Sequence, residues 1–271
     1  MKPMDGTFES EQPKSTKFFS GNLKKYLFEF SLLFLAVFLG FFADSLREEN
    51  SEKQLAYELG KSFYEELKND SVTILSKIDS RIKKERAIEY MITFLKDSSL
   101  QTSSKSLSIN FLWATTVRTP IIFTPRTVIL EQLKSSGSLR YFKNQRLQQL
   151  VGDLFVSIEY IHERQELEAT VYKDYIEPIM INHMDFEFQR KLFSTGIFDR
   201  LASYESSDEY IPFHLSQPEH LNRVACINAL SYYHTNNIKS TRMIPFEAYA
   251  KINAILLKEL RHEFKLTPIG K

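Results

Sequence analysis

Three observations predict an all-α chain. No stretch alternates apolar and polar residues over a useful strand length, glycine occurs only eight times in 271 residues, and apolar residues recur at spacings of three, four and seven. The expected architecture is an N-terminal transmembrane helix that continues into a long stem helix, then an extracytoplasmic helical bundle. Its divisions are a disordered cytoplasmic tail at 1–22, the span at 23–45, stem and Ser-rich loop at 46–106, and the external domain at 107–271.

The tail holds Pro, Ser, Gly, Lys and Glu with few aliphatic residues, too little apolar surface to offset its ordering entropy. Residues 26–43 then form an eighteen-residue stretch whose only charge is Glu29, with Lys24 and Lys25 before it and Asp44 after it. At about 1.5 Å per residue it reaches about 27 Å, enough for a bilayer core of about 30 Å when the lysines snorkel. Leu32, Phe34, Leu35, Val37, Phe38, Leu39 and Phe41 cover every side of this helix, whereas a core helix of a soluble domain keeps a polar face. A long leader and the bulky Phe41-Phe42 pair argue for an uncleaved anchor over a signal peptide. Lys2, Lys14, Lys17, Lys24 and Lys25 precede the span, and only Arg47, Lys53 and Lys61 lie in the twenty residues after Ala43. The positive-inside bias therefore expects an inner (cytoplasmic) membrane protein with its N-terminus in the cytoplasm and its C-terminal domain extracytoplasmic.

After the span, Leu55, Leu59, Phe63, Leu67, Ile74, Ile78, Ile82, Ile88, Ile92 and Leu95 keep helical spacing without a proline. The pattern fits one long helix, or two broken near Gly60 or Asn69-Asp70. Residues 97–106 are rich in Ser and Thr and read as a loop, and 107–119, which contains Trp113, is ambiguous. Thr124-Pro125 is expected to open a helix through Val128, Leu130 and Leu133, with Thr as N-cap. That helix should stop at Ser135-Ser136-Gly137, where glycine takes the left-handed C-terminal conformation. A long helix from about Asn144 carries Leu147, Leu150, Val151, Leu154, Ile158 and Ile161 on one face until Pro178 breaks or kinks it. Residues 194–217 read as a connection. Pro218-Glu219 and Pro245-Phe246 are expected to open the last two helices.

Charge excludes one class of partner. Residues 1–43 hold five of the 35 basic and four of the 34 acidic residues, which leaves 30 of each beyond them. With no net field and no dense basic stripe, nucleic-acid binding is not expected. The single cysteine, Cys226, forms no intramolecular disulfide, so the external domain is to be held by its core.

Two segments carry a family resemblance. Lys25-Tyr26 with Glu29 at the start of the span, and Leu130 to Arg140 with its Leu-Lys-Ser-Ser-Gly turn followed by Lys143, Asn144 and Leu147, resemble a family of uncharacterised single-pass membrane proteins of Bacteroidota. The likeness covers about residues 22–165 and departs from the pattern at Phe28 and at the span exit, Ala43 to Leu46. It implies an inner-membrane anchor with an extracytoplasmic helical domain, and it carries over no catalytic residue.

Candidate chemistry is sparse. Glu29 and Lys25, one turn apart, are the candidate membrane-interaction residues, either as an interfacial i,i+4 pair or as a site of helix association. Glu159/His162 and Glu259/His262 repeat the Glu-x-x-His spacing of di-metal bundles. On the helical wheel, however, His262 faces water, and His162, near the apolar stripe, reads as a hydrogen-bonded core histidine more than a ligand. His162-Glu163 starts a zinc-protease motif without its second histidine. Cys226 reads as an inert buried thiol. Ser135, Ser136 and Gly137 read as a structural turn more than a recognition loop, and the aromatic residues between Tyr172 and Phe198 as core filling more than a pocket. No cofactor and no metal are expected. The functional expectation is a membrane-anchored, non-enzymatic helical module for protein interaction, scaffolding or sensing, with the bilayer, an envelope protein or a second copy as partner. The alternative is a small-ligand receptor or enzyme using a pocket between helices.

Overall fold

The computed structural model describes residues 20–194 and 198–266, so the tail expected at 1–22 lies almost wholly outside the described residues. Every regular element among them is helical. The chain divides into two compact units, Met1–Leu55 and Ala56–Lys271. Helix α1, Ser20–Asp97, is 78 residues long and supplies both. No proline interrupts it, and neither proposed break occurs. At Gly60 the helix makes use of the missing side chain, because a Cβ there would overlap the Phe264 ring. At Asp70 the carboxylate that might have capped a new helix is taken by Tyr249 and Arg126.

Over residues 25–51 α1 is exposed all round, and its apolar window is long enough to cross a membrane with none of it buried. Among the described residues the second unit is built from α1 after Leu55 and eight further α-helices. They are α2 (Lys105–Phe111), α3 (Val128–Ser135), α4 (Gln145–Val171), α5 (Glu177–His183), α6 (Phe186–Leu192), α7 (Phe198–Ser206), α8 (Arg223–Tyr232) and α9 (Glu247–Phe264). Residues 56–95 are not a stem apart from the bundle: Leu59, Phe63, Leu67, Ile74, Ile88, Met91 and Leu95 are all buried in its cores.

The helix starts are corrected by their caps. Ser104, Asn144, Asp185 and Asn222 each accept from the backbone N–H three residues on, at Leu107, Leu147, Phe188 and Ala225. So α2 begins inside the Ser-rich loop, and α8 starts at Arg223, with Pro218 in a separate 3-10 turn, Pro218–His220. Thr124-Pro125 does not open α3, and its N-cap, Thr127, makes no side-chain bond. Carboxylates from α1 serve instead: Ile129 N–H donates to Glu66 (3.1 Å) and Arg126 N–H to Asp70 (2.8 Å). The connection expected at 194–217 contains α7.

Two prolines are absorbed by π turns. Pro245 does not start α9: it lies in the π turn Arg242–Phe246 of a helical run unbroken from Arg223 to Phe264. Pro178 follows the π turn Tyr172–Ile176 and sits in the first turn of α5. The wider turn accommodates the ring and the missing N–H that an α-helix would reject. Further π turns lie at Leu112–Thr116, directly after α2, and at Tyr233–Lys239, directly after α8.

These elements enclose two apolar cores. One joins α1 (Ala56 to Ile74), α3, the first part of α4, and α9. The other joins α1 (Ala87 to Leu95), α2, α5, α6, α7, α8 and the π turns beside them. Between the two stretches of α1 that feed these cores, the inward side chains are Arg81, Lys84 and Glu85.

Candidate functional site

The inward charges of α1 make the most unusual site in the second unit. Arg81, wholly buried, donates from Nη1 to Glu168 of α4 (2.9 Å) and from Nε to the Ile121 carbonyl (3.0 Å). A longer bond reaches the Ile238 carbonyl (3.3 Å), and the Phe246 ring lies 4.4 Å from the guanidinium. Among the described residues its Nη2 has no hydrogen-bond partner, and neither do Tyr233 Oη, Asn237 Oδ1 and Thr241 Oγ1, which recur every fourth residue along the run after α8. Such a row of buried polar atoms is the setting in which internal water is held.

Lys84, also wholly buried, has no carboxylate in contact among the described residues. It donates to the carbonyls of Trp113 (2.9 Å) and Val117 (2.8 Å), at and just beyond the π turn that follows α2. Burial pulls this ammonium down to about 7; the nearby Glu168 carboxylate opposes the fall, and the Arg118 and Arg81 charges reinforce it. Carbonyls beside the π turns thus solvate both buried cations. Next along α1, Glu85 takes a bidentate pair from Arg242 (2.6 and 3.0 Å), which also reaches Glu247. Burial also raises the Tyr233 hydroxyl well above its ordinary range.

A cavity of about 300 Å³ opens beside this layer, lined by Arg118, Ile122, His162, Gln165, Glu166 and Glu168. Its inward groups are already occupied. Arg81 holds Glu168, Gln165 makes paired bonds with the Phe123 backbone, and the Arg118 guanidinium lies 4.2 Å from the centroid of the Tyr172 ring. Lys84 does not line it. The arrangement holds charge in place.

The residues singled out from the sequence fall elsewhere. Glu29 and Lys25 are both exposed in the first unit, and among the described residues no ion pair joins them. At about 3.6 residues per turn, Glu29 shares one side of α1 with Ala36, Gly40 and Ala43. The ladder Phe30, Phe34, Phe38 and Phe42, with ring centroids 6.4 Å apart, occupies the other side. Gly137 has φ +66°, directly after the α3 C-cap Ser136. Ser135 and Ser136 donate back to the carbonyls of Glu131 and Gln132, as a helix end does.

Neither Glu-x-x-His pair gathers a metal site, and no group of three metal-ligating side chains occurs among the described residues. His162 is exposed, contrary to its expected place near the apolar stripe, because α4 turns Ile158 and Ile161 inward instead. Glu259 pairs with Arg146. Cys226 is buried, and burial raises its thiol. Of the aromatic stretch, Tyr172 and Phe188 are core while Tyr175 and Phe186 are about half exposed; the side chain of Phe198 lies outside the described residues. The sequence reading missed Arg81, Lys84 and Glu85 because it assigned the inward position to Ile82, which is only partly buried. A signal was present: three charges fall inside the spacing that should be apolar.

No protein-family model matches the chain, and no match is found among curated proteins or solved structures.

Proposed function

We propose that this chain is a non-enzymatic, single-pass protein of the inner (cytoplasmic) membrane that acts through protein association, as an envelope scaffold or sensor. Its N-terminus is in the cytoplasm and its helical unit outside. The observation that carries the reading is the apolar window of α1, long enough to span and buried nowhere. Apolar surface on every side of a helix needs lipid or another protein to cover it. Orientation rests on the lysine excess before the span, and the resemblance over residues 22–165 agrees with the same arrangement. Against an enzyme stands the buried layer, whose charged groups are mutually satisfied or closed to solvent.

Association is assigned to the side of the span that carries Glu29. An unpaired carboxyl group within a span costs a few kcal/mol near the centre and less near the interface, which favours a hydrogen-bonded neighbour. Small residues on that side permit close approach of a second helix. Crosslinking in membranes tests this: Glu29→Gln, which still hydrogen-bonds, should keep the crosslinked species, and Glu29→Leu should lose it. The same species at the same abundance in Glu29→Leu would make Glu29 a passive residue. A periplasm-dependent reporter fused after Lys271 should be active; an inactive one reverses the orientation.

A further inference from the structure

The turn that ends α3 also walls a cavity of about 330 Å³, lined by Leu130, Leu133, Leu139, Val151, Gly152 and Phe155, with Lys134. Gly152 lies inside α4, where glycine is the poorest helix former after proline. A Cβ built on it meets no atom within 4 Å, so no neighbour needs the side chain to be missing. Its absence leaves the space open. Gly137, on the α3 side, likewise has nothing within 4 Å of a Cβ position.

Among the described residues, the one cation lining this apolar space is Lys134. Its ammonium lies 3.6 Å from the centroid of the Phe155 ring, and it has no carboxylate partner among the described residues. An apolar hollow with one unpaired cation is complementary to an alkyl chain that ends in an anion. We propose that the cavity binds a single-chain carboxylate amphiphile, a fatty acid of medium length, with its chain against Leu133, Val151 and Phe155 and its carboxylate on Lys134. This site is independent of the span and of Glu29.

The test uses the full chain in lipid nanodiscs, irradiated with a diazirine-bearing dodecanoate, with labelled peptides mapped by mass spectrometry. Label in residues 26–43 measures acid dissolved in the bilayer and serves as the internal reference. Peptides containing Leu133 and Phe155 should be labelled, and excess dodecanoate should suppress that label about tenfold while dodecyltrimethylammonium leaves it nearly unchanged. Gly152→Leu, which fills the space, and Lys134→Glu, which reverses the charge at an exposed position, should each lower it about fivefold or more relative to the span. Lys134→Glu carries the test alone if Gly152→Leu unfolds the unit. The proposal is overturned by label confined to the span, or by equal displacement with both amphiphiles and no effect of Lys134→Glu. An amine-reactive crosslink from Lys134 to a second copy or another protein, insensitive to dodecanoate, also overturns it by making the groove a protein seat.

Discussion

Residues 26–43 and 56–95 belong to one helix and meet opposite demands. The first stretch is apolar on every side and wholly exposed, with Glu29 as its one charge. The second has an apolar stripe that is buried, yet it also turns Asp70, Arg81 and Lys84 inward to zero exposure. Helix geometry is therefore indifferent to where charge goes; the surroundings decide. Charge is tolerated in the second stretch because Glu168, Arg126, Tyr249 and backbone carbonyls meet it, whereas among the described residues Glu29 has no such partner.

The strongest way to break the comparison is to place leucine at one charge in each stretch. Arg81→Leu leaves Glu168 buried without its partner and should destabilise the second unit by about 3–5 kcal/mol. Glu29→Leu should leave that stability unchanged. Trp113, the sole tryptophan, is buried in the second unit and reports its unfolding by denaturant. Equal effects of the two substitutions would mean that the buried pair contributes nothing specific.

The next effect is a pH dependence. Lys84 keeps its proton up to an ordinary value of 10.5 in the unfolded chain and releases it at about 7 in the folded one. Between these values the unfolded state binds more protons, so stability rises with pH and the group adds no slope below about 7. From pH 7 to 9 the rise should be about 2–3 kcal/mol, and Lys84→Met should remove it. An unchanged slope in Lys84→Met would show that other groups set the pH response.

Glycines sharpen the contrast further. Gly60→Ala forces a methyl group against the Phe264 ring and should cost about 1–2 kcal/mol. Gly40→Ala meets no atom within 4 Å and should leave the second unit as it was. Gly137→Ala, outside α1, should cost about 1 kcal/mol for backbone reasons alone, since φ is +66° there. If Gly137→Ala has no effect, the helix-termination account of this turn fails.

Much of the fold was legible in the sequence because it depends on local chemistry. Spacing of apolar residues reveals helices, and an uninterrupted apolar stretch reveals a helix long enough to span. Where reading failed, the deciding group lay in a distant part of the chain or the local turn was of another kind. The N-terminus of α3 is served by Glu66 and Asp70, more than fifty residues earlier, so Thr124 was the wrong local signal. Pro245 seemed to open a helix because its effect on an α-helix is local, whereas here a π turn absorbs it.

By itself, then, the sequence determined the all-α class, the position of an apolar helix long enough to cross a membrane, and the absence of any motif for a known reaction. Only the tertiary structure decided that residues 56–95 are core, that Arg81, Lys84 and Glu85 turn inward between two apolar clusters, and that Gly152 leaves a cavity open. The physical reason is that periodicity records what a helix tends to bury on average. Whether one particular charge goes inward depends on the carbonyls, carboxylates and rings that distant segments bring to meet it.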